Sequence, residues 1–214
     1  MTVRFRPFDP DRDFTSVSDF LLEHYRPGNR DGNWLQPIWE YAYTHPWFDD
    51  DAVERIGIWE ESGQIVAAVH YELRLGEAFF ETHPDYSHLK EAMLDHAEAN
   101  LFSTDQEGKR ALKVFVNDFD PDFDEAVQSR GYRLDPDSRR TMSTFEIPEA
   151  FTKIHVPDGF ALRSLADDND LRKLNRVLHR GFNHAGEPPE DGIEGCRRMQ
   201  SGPNYRKDLA IVAE

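Results

Sequence analysis

Glu77-Ala78-Phe79-Phe80-Glu81-Thr82-His83-Pro84-Asp85-Tyr86-Ser87-His88-Leu89, continued to Leu101, is the stretch on which the reading of this chain turns. Its first five residues predict a short buried strand, two aromatics following Ala78 and Gly76 closing the run before it. Thr82 to His88 is a polar turn through which Pro84 bars a helix. Leu89, Ala92, Met93, His96, Ala97 and Leu101 then recur at helical spacing, one apolar stripe of an amphipathic helix. A strand, a tight loop and a helix together can make an anion site, because free amide N–H groups and the positive helix end face the loop.

Upstream, Val3, Phe5 and Pro7 alternate with arginines in a first strand ended at Asp9-Pro10. Phe14, Val17, Leu21 and Tyr25 mark a helix stopped by Pro27-Gly28. Asn33 is placed to cap a second helix bearing Trp34, Ile38, Tyr41 and Ala42. Arg55–Trp59 and Ile65–Val69 read as strands joined by the hairpin signal Glu61-Ser62-Gly63-Gln64. Downstream, Leu112–Val116 reads as a buried strand. Asp120-Pro121 opens a helix that Gly131 ends. Thr141–Phe145 reads as a last strand.

This order, with Gly131-Tyr132 after the last helix and Asn117 at the preceding strand end, resembles the GNAT superfamily of acyl-CoA N-acyltransferases. The resemblance implies an α/β (α+β) fold over residues 1–147, a mixed, mostly antiparallel sheet flanked by helices. It implies acetyl-CoA as co-substrate, held by the strand at Phe79 and Phe80, by the loop at Tyr86, Ser87, His88 and Leu89, and by Asn117. It also implies direct attack of a primary amine, on a small molecule or a peptide, with a carboxylate as base and an acid for the leaving thiolate. Glu81, Glu77 and Glu72 stand where a base is expected, and Glu77 and Glu81 share a strand face. They could equally line a solvated strand edge. The family's loop carries glycines, whereas Tyr86 to Ala92 has none, so weak acetyl-CoA binding is expected. Relatives place an acidic tyrosine five residues before the Gly-Phe aromatic. Here that position is Val127, leaving Tyr86 or a water as the acid. A catalytically silent domain, serving as scaffold or dimerisation partner, is the alternative.

Ile147 to Gly159, with two prolines and little periodicity, reads as a linker (148–159). Beyond it the first element recurs. Phe160–Leu165 echoes Val3–Phe8, with Arg163 on Arg6 and Leu165 on Phe8. Asp170-Leu171 falls on Asp13-Phe14, Leu174 on Val17 and Leu178 on Leu21. Asp208–Glu214 echoes Glu54–Glu60. Residues 160–214 are therefore expected to begin a second, truncated copy. Its apolar last strand, lacking a hairpin partner, is expected to pair at a sheet edge and give a homodimer.

The chain has 41 acidic against 25 basic residues in 214, a formal charge of −16. Such a surface repels phosphate backbones and makes nucleic acid a poor partner. One cysteine, Cys196, excludes an internal disulfide, and no run suits a membrane span or signal peptide, so a cytoplasmic protein is expected. No metal is expected. Asp118, Asp120, Asp122 and Asp124 mimic a calcium loop, but Phe123 and Ser129 stand where it needs Gly and Glu. His88, Glu91 and Asp95 share a helix face that a charged exterior explains as well. Arg180, His184, Arg197 and Arg198 form no recognisable pattern.

Overall fold

The computed structural model describes residues 2–150 and 153–213. The chain divides into two compact units, Met1–Tyr43 with Trp47–Thr144, and Thr44–Pro46 with Phe145–Glu214. The first unit is built on a mixed sheet in the order β1-β2-β3-β4-β7. Its strands are β1 (Arg4–Pro7), β2 (Gly57–Glu61), β3 (Gln64–His70), β4 (Glu77–Thr82) and β7 (Lys113–Val114). β1 to β4 pair antiparallel, and β7 joins β4 in parallel. The two-residue ribbon of β5 (Ser103–Thr104) and β6 (Arg110–Ala111) stands apart. This mixed α/β layout is consistent with the GNAT-like fold that the sequence resembles.

Local chemistry places the helices. Asp9 caps α1 (Pro10–His24), accepting from the Asp11 N–H, with Pro10 at the first helical position. α1 buries Val17, Phe20 and Leu21 on one face, against a core that includes Trp39, Ile58 and Val69. α2 spans Gln36–Thr44 and contributes Trp39. α3 (Lys90–Asn100) buries Met93, Leu94 and Ala97, and Leu101 follows them into the core. Asp120 caps α4 (Pro121–Ser129), which buries Phe123 and Val127. The hairpin between β2 and β3 turns on Ser62 and Gly63 at φ of 54° and 81°, the left-handed pair that a tight hairpin requires.

Two strand expectations are corrected. Leu112–Val116 is not a buried strand, since only Lys113 and Val114 pair with β4 and the segment is half-buried. Thr141–Phe145 forms no strand. β7 is too short to offer it a ladder, and the segment buries no face, with Met142 48% and Phe145 80% exposed.

In the second unit, β8 (Leu162–Ser164) pairs antiparallel with β9 (Ile211–Ala213), and α5 (Leu171–Gly181) and α6 (Gly192–Met199) lie between them in sequence. Asp170 caps α5, accepting from Arg172 and Lys173 N–H groups. Arg163 stands opposite Val212, and the Leu165 N–H reaches the Ala210 carbonyl at 2.9 Å. In the first unit Arg6 stands opposite Ile58, and the Phe8 N–H reaches the Ile56 carbonyl, also at 2.9 Å. Glu214, the end of the expected echo, lies outside the described residues, as do Phe151 and Thr152 of the expected linker. Among the described residues no helix is long and apolar enough to cross a membrane.

Candidate functional site

β4 has two unlike edges. Against β3 it forms a full ladder from Phe79, opposite His70, to Thr82, opposite Ala67. Against β7 it shares only Glu77 with Lys113 and Ala78 with Val114, and the Phe115 N–H to Ala78 carbonyl bond of 3.1 Å closes that pairing. Backbone groups alternate sides along a strand, so Ala78, Phe80 and Thr82 turn theirs away from β3. Those of Thr82 are taken by one side chain. Its N–H donates to Asn33 Oδ1 at 2.7 Å, and Asn33 Nδ2 donates to its carbonyl at 3.3 Å. Asn33 thus replaces a strand partner. It does not cap a helix, because α2 starts three residues later, at Gln36. Between these two points the N–H and C=O of Phe80 have no hydrogen-bond partner among the described residues. Phe80 is 8% exposed, and a buried backbone pair of this kind ordinarily finds a partner.

One residue further on, Glu81 is buried against His70, with Nε2 and Oε1 3.0 Å apart. Its other oxygen accepts the Trp34 N–H at 2.7 Å. His70 Nδ1 lies 3.0 Å from the Tyr71 carbonyl, which can only accept, so Nδ1 carries a hydrogen. One proton is then left to bridge imidazole and carboxyl. The pair exists as imidazolium with carboxylate, or as neutral imidazole with carboxylic acid. Trp34, Trp39 and Phe79 crowd the imidazole, with ring centroids 4.6, 5.1 and 5.8 Å away. Reading the third strand only to Val69 leaves His70 out. The register that sets it diagonally beside Glu81 depends on the irregular 71–76 connection, which carries no turn signature.

The other expected site residues are dispersed. Glu77 shares the strand face of Glu81, as alternation requires, but pairs with Arg140 at 3.7 Å, and Arg140 also pairs with Glu72. The Arg140 guanidinium lies 4.8 Å from the ring centres of both Phe79 and Phe115, which stack 4.3 Å apart. Tyr86, Ser87, His88 and Leu89 lie in a tight 3-10 helix, Pro84–Leu89, where an open loop was expected. There the Asp85 N–H bonds His83 Nδ1 at 3.1 Å, the Tyr86 N–H bonds the His83 carbonyl at 2.9 Å, and the Lys90 N–H bonds the Ser87 carbonyl. Pro84 starts this turn instead of blocking it, because a first helical position needs no N–H. The Tyr86 hydroxyl donates to Glu61 at 2.7 Å, and that bond pushes its pKa up. Asn117 Nδ2 donates to the Gly32 carbonyl at 2.9 Å. Gly32 has φ of 80°, and a Cβ there would fall 2.5 Å from Asn117 Nδ2, so this close approach requires glycine. Val127 packs in the core. Among the described residues no group of three or more His, Cys, Asp or Glu side chains could hold a metal ion.

No protein-family model matches the chain. No curated protein matches it. Among solved structures it is similar to a tandem GNAT protein from the clavulanic acid biosynthesis pathway, solved without AcCoA, at 14% identity and a TM-score of 0.40. The similarity covers 94% of this chain and 66% of that one, so this chain spans just under two thirds of that protein's length.

Proposed function

We propose that the first unit is an N-acyltransferase of the GNAT type, taking an acetyl group from acetyl-CoA and passing it to a primary amine. The single observation that carries this reading is the parting of β4 from β7 at Phe80. A donor and an acceptor left unpartnered on one strand edge suit the amide-bearing arm of an acyl thioester, which can bond there as an added strand does. The donor supplies the thioester carbonyl that an amine attacks. Phe80 holds the arm, and Glu81 is the nearest carboxylate along the strand, its proton shared with His70. In this reading the proton that the amine loses passes to the departing CoA thiolate, which leaves as the thiol, and the pair fixes the strand edge beside the reacting carbonyl. The fit is good at the arm and poor at the diphosphate. The amides at Asp85, Tyr86 and Lys90 are already bonded, and no glycine opens the turn.

This asymmetry gives the test. Acetyl-pantetheine, which lacks the nucleotide diphosphate, should bind within about fivefold of acetyl-CoA, a difference of roughly 1 kcal/mol. Both should be weak, and both should shift the Phe80 amide resonance on titration. Tight binding of acetyl-CoA with weak acetyl-pantetheine binding would mean the turn grips phosphate after all. No shift at Phe80 with either compound would remove the site.

A second reading, a catalytically silent domain, has its own support. Val127 is buried hydrocarbon and Tyr86 is engaged by Glu61, so neither offers a ready proton to a leaving thiolate. Donor binding without acetyl transfer to any of a panel of polyamines and aminoglycosides would select it. We further read the second unit as a repeat of the first, supported by the matched register of β8–β9 and β1–β2.

A further inference from the structure

Arg140 is a charged side chain of the first unit that the proposed chemistry leaves idle. It comes from residues 139–144, which are exposed and have no regular secondary structure. Among the described residues none of these six makes a backbone hydrogen bond, and the Arg140 side chain makes the segment's only side-chain one. Its guanidinium pairs with Glu72 and, at 3.7 Å, with Glu77, and lies 4.8 Å from the ring centres of both Phe79 and Phe115. Neither carboxylate has another ion-pair partner among the described residues. The same two carboxylates line an open cavity of about 680 Å³, with Trp47, Leu73, Arg74 and Lys113 among its other walls. Lys113 is already held, its Nζ 2.7 Å from Ser138 Oγ and 3.8 Å from Asp135. Arg140 is itself 44% exposed, and an ion pair that open to water holds weakly.

We propose that Arg140 stands in for a ligand: the place between Glu72, Glu77, Phe79 and Phe115 takes the guanidinium of a small molecule entering through the cavity, and Arg140 is the contact that such a ligand displaces. The class follows from the place itself. A planar guanidinium stacks on aromatic rings and offers forked donors to carboxylates, whereas an ammonium is a compact, strongly hydrated charge. A chain of formal charge −16 also favours the approach of a cation. Phe79 adjoins Phe80, so the bound guanidinium lies one residue along β4 from the unpartnered edge read as the donor's. As the seat of the acceptor this place rests on that reading; as a guanidinium site it does not. The acceptor is then a primary amine that also carries a guanidinium, as agmatine does.

Isothermal titration of the intact chain without any acyl donor decides this, so its outcome stands apart from donor binding at Phe80. Arg140 competes as a tethered ligand at an effective concentration on the order of millimolar, so the wild type should bind agmatine weakly. Arg140→Ala should bind it at least about fivefold tighter, the scale on which an exposed ion pair holds. Putrescine, with an ammonium in place of the guanidinium, should gain less than about twofold. Adding Glu72→Gln to Arg140→Ala should abolish the gain. If circular dichroism shows that Arg140→Ala disturbs the fold, Arg140→Gln carries the test, since it removes the charge and keeps part of the stem. An Arg140→Ala chain that binds agmatine no tighter than the wild type overturns the proposal. So does a gain that survives Glu72→Gln combined with Glu77→Gln, or one that putrescine shares in full.

Discussion

Arg6–Asp13 and His70–Glu81 each set a basic side chain against a buried carboxyl in the first unit, and they differ in what a proton can do. Asp13 is fully buried, and it accepts from the Arg6 guanidinium, from Arg12 Nε at 3.1 Å and from the Asp9 N–H at 2.7 Å. Burial alone would push its carboxyl up, but the Arg6 hydrogen bonds, the Asp9 amide and the arginine charges hold it below the ordinary 3.8. A guanidinium does not give up its proton in a protein, so this pair is fixed as ions and serves to tie β1 to the start of α1. In His70–Glu81 both partners can hold the bridging proton, and their remaining bonds, to the Tyr71 carbonyl and from the Trp34 N–H, are satisfied either way. Asp13, His70 and Glu81 are buried alike, whereas the Arg6 side chain is 21% exposed. Only the second pair can pass a proton between its partners.

The largest effect expected from breaking this contrast is at Asp13. Asp13→Asn turns an amide NH2 toward donors and leaves Arg6 with only Glu60, 2.8 Å away, as a counter-charge. A loss of about 3 kcal/mol is expected, the low end for one partner of a buried pair because Glu60 remains. Urea unfolding measures it. The linkage follows from the lowered pKa: the stability from Asp13 is complete above pH 3.8 and is lost as pH falls through the depressed folded value. A loss under about 1 kcal/mol would mean that Arg6 is solvated and the pair is a surface contact.

Glu81→Gln should cost much less, about 1 kcal/mol, the worth of an ordinary hydrogen bond. The new amide oxygen accepts the Trp34 N–H, and one hydrogen of its NH2 donates to a neutral His70 Nε2, so both former partners keep a bond and only the second amide hydrogen is added. The His70 ring resonances should then be those of a neutral imidazole with hydrogen on Nδ1. A cost equal to that of Asp13→Asn would show that the ring is locked as a cation, and the proton-sharing account would fall.

How much of this was legible beforehand differs by element. The strand order through β4, the Ser62-Gly63 hairpin and the Asp120 cap carry local chemistry that announces itself. The β4 carboxylates were also legible, since Glu77 and Glu81 follow from period-two alternation. Their partners were not, because Arg140 and His70 come from segments whose register no local rule sets. Asn33 shows the same limit. An asparagine three residues before a helix looks like a cap, and only the tertiary fold shows it bonding Thr82. The strand misread at Thr141–Phe145 had suitable residues and lacked a ladder to join, which is a property of β7.

His96 sharpens the comparison from the other side, as a histidine with no carboxylate to share its proton. Nε2 lies 2.8 Å from the Arg55 carbonyl and must carry the hydrogen, while Nδ1 faces Asn100 Nδ2 at 3.2 Å and accepts. The neutral ring is therefore fully bonded, and a second proton would point at an N–H. It sits tightly between Phe5 and Trp59, at centroid distances of 4.9 and 5.9 Å. A Cβ on Gly57 would come within 2.9 Å of the ring. Burial lowers its pKa below the ordinary 6.5, with only partial relief from the Arg55 carbonyl. Between that lowered value and 6.5 the unfolded chain binds more protons than the folded one, so stability rises with pH across this window. It is complete above 6.5 and lost as pH falls. His24, lowered by burial and by His83, adds a slope of the same sign. The melting temperature should therefore drop between about pH 7.5 and about pH 5.5. His96→Gln, which can still donate to the Arg55 carbonyl, should lower stability at the upper pH and flatten, without abolishing, the fall. If wild type and variant fall in parallel, His96 takes up its proton freely, and histidine burial without a carboxylate is no barrier to charge here.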